Sequence, residues 1–113
     1  KLGVKRYAEG AGEQTVIDSI TLDTLVDRVG SPIDVMQMDV QGLEIAILGS
    51  GKASLESSSI RTFIIGTHGK RIHQQCLDML TDSGYEIEYE EADTPHQPDG
   101  IIVASKGGRR LAA

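Results

Sequence analysis

The sequence holds a single cysteine, Cys76, which excludes an internal disulfide and a cysteine-rich zinc site; its setting among apolar residues on a predicted helix face makes it a core residue. There is no apolar run near the ~20 residues a membrane helix needs, and the first ten residues lack the apolar middle of a secretion signal. These absences point to a reducing cytoplasm and to no membrane partner. Positive charge is also scarce. Eleven Lys and Arg stand against 17 Asp and Glu, for a formal net charge of -6, and the acid gathers at Glu86, Glu88, Glu90, Glu91 and Asp93. A general nucleic-acid binder needs a basic face, so no nucleic-acid partner is expected. The short basic clusters Lys70-Arg71 and Lys106, Arg109 and Arg110 read as solvated surface.

What is present is an ordinary globular composition: 113 residues, 39% apolar and 25% charged. That length supports one domain with a small core, in which the loss of a neighbouring layer would be felt. Residues 1–20 read as peripheral, with strands over Val4 to Ala8 and Thr15 to Ile20 around a glycine-rich turn. Thr21 is placed to cap a helix that carries Leu22, Leu25, Val26 and Val29 and stops at Gly30. Ile33 to Met38 reads as a strand buried on both faces and ending on Asp39. Val40-Gln41-Gly42 then turns into a helix over Leu43 to Leu48, and a loose segment runs through Ser59. A second buried strand, Ile60 to Ile65, stops at Gly66-Thr67-His68-Gly69. A helix follows over Lys70 to Ser83. Tyr85, Ile87 and Tyr89 alternate with glutamates in an edge strand. Beyond a loop from Asp93 to Gly100, Ile101 to Ala104 returns antiparallel. Residues 106–113 read as a flexible tail.

Strands alternating with helices predict an α/β fold on a mostly parallel sheet. The order expected from short connections places the strand ending at Asp39 beside the one ending near Gly66, then Ile101 to Ala104, then Tyr85 to Glu90 at the far edge. Ligands of such sheets bind outside the carboxyl ends of the strands. Asp39 and His68 both fall there and could supply an acceptor or general base and a titratable partner. Glu44, in a first helical turn, is favoured there by the helix dipole alone. Asp39, Glu44 and His68 lack diagnostic metal-ligand spacing, so no metal is assigned. His73 and His96 have no acidic partner nearby in sequence and read as surface residues.

The segment Thr21-Leu22-Asp23-Thr24-Leu25, followed by Ile33 to Asp39 and Val40-Gln41-Gly42-Leu43-Glu44, resembles the FkbM methyltransferase family, in which a TLD-type helix start precedes a strand ending in a K-I-D-V-E-G-x-E-like motif. The resemblance continues through Ile60 to His68, Gly84-Tyr85 and Asp99 to Ala104. It implies the carboxyl-terminal part of a Rossmann-like sheet and S-adenosyl-L-methionine as cofactor. It also implies a small-molecule or sugar hydroxyl as methyl acceptor. Asp39, Gly42, Glu44 and His68 match the family pattern: Asp39 and His68 as catalytic candidates, and Asp39, Gly42 and Glu44 as cofactor-binding ones. Gln37, Gln41 and Gly66 stand where the pattern has lysine, glutamate and glutamate. The glycine-rich half that would hold most of the cofactor is not in the sequence, so the expectation is a partial methyltransferase domain, inactive alone.

Two other classes compete. Asp39, Thr67 and Lys106 follow the order of a receiver domain's phosphoacceptor aspartate, threonine and lysine, which would make the chain a signalling switch. The neutral Gln37, Gln41 and Gly66 suggest a catalytically silent interaction module. Finally, the resemblance implies a neighbouring first strand that is missing here, so the strand Ile33 to Met38 should have one unpaired edge, and pairing with a second copy would make a homodimer. Alternatively, the first twenty residues fold back onto that edge.

Overall fold

A computed structural model describes residues 5–10, 13–96 and 99–106. Strands β1 (Lys5–Gly10) and β2 (Glu13–Asp18) pair antiparallel as a two-stranded sheet of their own. Neither folds back onto the edge of the main sheet: among the described residues each pairs only with the other. Helix α1 (Leu22–Val29) starts where expected: the Thr21 hydroxyl accepts from the Thr24 N–H at 3.0 Å, and Gly30 closes the helix in the left-handed region. Leu22 faces the core, while Leu25 and Val29 remain exposed.

The main sheet is four-stranded and mixed, in the order β3 (Ile33–Asp39), β4 (Ile60–Thr67), β6 (Gly100–Ser105), β5 (Glu86–Glu91). This is the order the connections imply. β3 and β4 are parallel; β6 runs antiparallel to both β4 and β5. Between β3 and β4 lie α2 (Glu44–Gly49) and α3 (Lys52–Glu56), and α4 (Lys70–Asp82) joins β4 to β5. The segment read as loose thus contains a short helix, α3, held in part by the Asp23 carboxylate. That group accepts from the Ser54 N–H at 2.9 Å and the Ser54 hydroxyl at 2.6 Å. Burial would raise the Asp23 pKa, but these bonds, with one from the Ala53 backbone, bring it below its ordinary value.

The core lies on one face of the sheet. Met38, Phe63, Ile65, Ile102 and Ala104 share that face in register and are buried with Leu48, Leu55, Cys76 and Leu80 from the helices. Phe63 meets Tyr85 edge-on with centroids 5.5 Å apart, and the Tyr85 hydroxyl donates to the Ile60 carbonyl. The other face corrects the expectation of a strand dry on both sides: Val35 is 46% exposed and Gln37 is exposed, while Ile64 and Val103 are half-buried. The apolar run of β3 reflects one buried and one open face.

The edge strand β5 departs from simple alternation. Its pairing with β6 slips between Ile87 and Tyr89, so Glu88 is an extra residue and the side-chain sequence is reset beyond it. Tyr89, which alternates with the glutamates in sequence, is 53% exposed, and Glu90 takes the helix-facing position beside Ile102. Lys106 is no part of a loose tail. Its ammonium donates to the carbonyls of Leu55, Glu56 and Ser83, gathering the carboxyl ends of α3 and α4, and lies 5.2 Å from the Tyr85 ring centroid. The remainder of the expected tail, 107–113, lies outside the described residues. Among the described residues no helix is long and apolar enough to cross a membrane.

Candidate functional site

β3 and β4 end level with each other, because Asp39 and Gly66 are register partners. The loop from β5 also arrives at this end, since β6 begins with Gly100 opposite Thr67. Four side chains from separate segments converge there: Asp39 at the end of β3, Glu44 at the start of α2, His68 after β4, and Asp99 just before β6.

Glu44 is the fixed point. It is completely buried, yet both oxygens have donors: the Gly42 N–H at 2.6 Å on Oε1, and the His68 N–H and Nδ1, each at 3.1 Å, on Oε2. Burial by itself would push its pKa up. Hydrogen bonds from its own backbone, the His68 ring, and the Gly42 and His68 backbones outweigh that and hold the carboxyl below its ordinary 4.5. The preceding turn makes this possible: Gln41 and Gly42 adopt left-handed φ of 43° and 97°. A side chain at Gly42 would meet nothing within 4 Å, so it is the backbone angle that calls for glycine.

An ionised carboxylate accepts only, so His68 Nδ1 carries the proton toward Glu44. Its Nε2 then faces outward, 3.4 Å from Asp39 Oδ1 and 3.4 Å from Asp99 Oδ1. Both aspartate side chains are largely exposed, at 66% and 63%. The absence of a side chain at Gly66 keeps Asp39 clear on its inner side, where a Cβ would lie 3.4 Å from the carboxyl carbon. An imidazole fixed by a buried carboxylate at one nitrogen, with the other facing two open carboxylates, can accept a proton from a bound hydroxyl and have the resulting charge stabilised.

Asp39, Gly42, Glu44 and His68 are therefore brought together, with Glu44 fully buried and both of its oxygens engaged within the protein. Asp99 is the member sequence reading missed. Its signal was positional: it immediately precedes a strand that must re-enter the sheet at the end where β4 stops. His73, read as surface, is instead buried, with its ring between the Thr67 hydroxyl at 2.6 Å and Glu90 Oε1 at 2.7 Å. The receiver arrangement is not formed. The Lys106 N–H bonds to the Arg61 carbonyl, near the amino end of β4, whereas Thr67 closes the carboxyl end. At ~3.3 Å per residue, six residues of strand separate them by roughly 20 Å. Among the described residues, no group of three or more His, Cys, Asp or Glu side chains is arranged to hold a metal.

Residues 3–87 match the family model described as Methyltransferase FkbM domain. The chain belongs to the FkbM methyltransferase family. It is also 32% identical over 81 residues, 72% of its length, to a protein of Jannaschia sp. (strain CCS1) named "Putative methyltransferase". It spans 28% of that relative's length. No solved structure matches it. In this FkbM chain, Asp39, Gly42, Glu44 and His68 all lie inside the matched region, whereas Asp99 lies beyond it.

Proposed function

We propose that this chain is the carboxyl-terminal part of a Rossmann-like, S-adenosyl-L-methionine-dependent O-methyltransferase, and that its strand ends form the acceptor side of the active site. The observation that carries the reading is His68, held at Nδ1 by buried Glu44 and open at Nε2 between Asp39 and Asp99. The chemistry of these side chains fits a hydroxyl-rich ligand: Asp39 is an exposed carboxylate able to accept from hydroxyls, and Gly42 leaves its side of the crevice open. When bound, S-adenosyl-L-methionine supplies a methyl group on a sulfonium, the electrophile for an oxygen nucleophile.

The residues of this chain handle the proton. His68 Nε2 would accept the proton of the acceptor hydroxyl as its oxygen takes up the methyl group that the bound cofactor would supply. Asp39 and Asp99 flank the imidazolium so formed, and Glu44 keeps the ring from turning. Asp39 and Gly42 are the cofactor-facing candidates. Glu44 acts by positioning. The acceptor is a small molecule or sugar hydroxyl, for which a neutral or positively charged molecule suits the acidic crevice.

Calorimetric titration of S-adenosylhomocysteine tests the reading, with a glycine-rich half supplied ahead of this sequence. Binding is expected, with Asp39→Asn lowering turnover far more than the melting temperature, because an amide supplies no charge at the crevice. No binding in that longer form would refute the methyltransferase reading and leave an interaction module. Normal turnover in Asp39→Asn would remove Asp39 from the site.

A further inference from the structure

Beneath the His68 cluster lies a second hydrogen-bonded chain that the methyl-transfer reading does not use: Thr67, His73 and Glu90. Thr67 and His73 are both buried, on β4 and α4, and the Glu90 side chain at the sheet edge is 44% exposed. Glu90 as a carboxylate accepts from His73 Nε2–H at 2.7 Å, which in the neutral ring leaves Nδ1 to accept from the Thr67 hydroxyl at 2.6 Å. Three elements are joined by two short bonds, of which the Thr67–His73 one is buried and the His73–Glu90 one partly so.

The position of this chain gives it a purpose. Thr67 immediately precedes His68, and its register partner on β6 is Gly100, which immediately follows Asp99. The two residues that meet at His68 Nε2 are thus each one peptide bond beyond the pair packed on His73. Gly100 is shaped for this contact: a Cβ there would collide with the Thr67 hydroxyl, come within 3.0 Å of His73 Nδ1 and lie 2.9 Å from the Glu91 carbonyl oxygen. Nothing larger than glycine lets β6 close over the imidazole. The bulge at Glu88 completes the arrangement, because without it Glu90 would point to the opposite face of the sheet.

We infer that Thr67, His73 and Glu90 are positioning residues, which set the relative placement of His68 and Asp99 from below. This rests on the geometry of the His68 cluster and not on its role in methyl transfer, so the test needs neither cofactor nor acceptor.

The experiment compares Glu90→Ala with Glu90→Gln by NMR. Both remove the same charge, but only glutamine keeps an oxygen to accept from His73 Nε2–H. In Glu90→Ala, the His68 amide, which donates to Glu44 in the native fold, should exchange about tenfold faster, as expected for losing one hydrogen bond to a charged group. Long-range nitrogen–proton correlations of the His68 ring should change from one tautomer to a mixture. Amides of Ile64 and Val103 in the sheet centre should keep their native rates, and Glu90→Gln should restore both His68 signals. Three results would overturn the inference: native His68 signals in Glu90→Ala, failure of Glu90→Gln to restore them, or equal acceleration of the central amides. The last would make the chain a contributor to global stability only. Failure to bind S-adenosylhomocysteine would leave it standing.

Discussion

Replacing Glu44 with glutamine removes one charge from a fully buried group while leaving its shape. The native carboxylate accepts from the Gly42 N–H, the His68 N–H and His68 Nδ1–H. The amide has one oxygen, and its NH2 must face at least one of those donors. A hydrogen bond to a charged group contributes about 1.5–3 kcal/mol, and a buried donor left unpaired costs about 1–3 kcal/mol. One lost bond and one orphaned donor together imply a loss of about 3–5 kcal/mol at neutral pH. At this chain length that lowers Tm by about 10 °C or more. The pH dependence carries a sharper signature. Because the folded pKa lies below the ordinary 4.5, the unfolded chain takes up this proton first. The stabilisation is fully present above 4.5 and is lost as pH falls through the lowered folded value. Urea unfolding followed by circular dichroism between neutral pH and the acid limit should therefore show the two proteins converging as acid is added. Parallel curves with a constant gap, or equal stability at neutral pH, would refute the account of Glu44 as an ionised anchor.

Burial, with the Glu44 charge adding to it, pushes the Cys76 thiol from 9.0 up to about 12; thiol reagents at pH 8 should label it only as fast as the chain opens, and rapid labelling under native conditions would contradict its burial. Gly100→Ala should destabilise the fold by about 1–3 kcal/mol, the usual range for overpacking, seen as a lower urea midpoint; an unchanged midpoint would show that Thr67 and His73 can yield. Among the described residues the outer edge of β3 pairs with no strand, and the amino-terminal hairpin is not its cover. A homodimer through that edge is expected, seen as concentration-dependent sedimentation and abolished by Val35→Lys; a monomer at every concentration would rule it out.

The strand order was legible because each connection is short and each strand ends on glycine or a polar residue, which leaves few arrangements. The open face of the sheet was not, since Ile33 to Met38 reads as apolar whether or not a second layer covers it. Helix α3 has five residues, too few for a helical period to show. The site was half legible. Asp39 and His68 stand at strand ends, a positional rule that needs no partner, whereas His73 depends on partners six and 17 residues away on two other elements. Glu90 could be placed only by knowing of the bulge at Glu88, and no composition signal announces one extra residue in a run of glutamates.

The sheet order carries a consequence for biosynthesis. β6 leaves the ribosome after every other strand described, yet it lies between β4 and β5. A nascent chain that has emerged only as far as Glu91 can zip β3 onto β4, but β5 has no neighbour to pair with and must wait. Until Gly100 to Ser105 arrive, the free side of β4, with Phe63 and Ile65 beside it, is available to any passing strand, which is when such chains go astray. The last insertion closes the sheet, brings Asp99 to His68 and sets Lys106 on the helix ends in a single event. Synthesis that stalls between Glu91 and Gly100 should therefore yield an aggregating species rather than a smaller folded one.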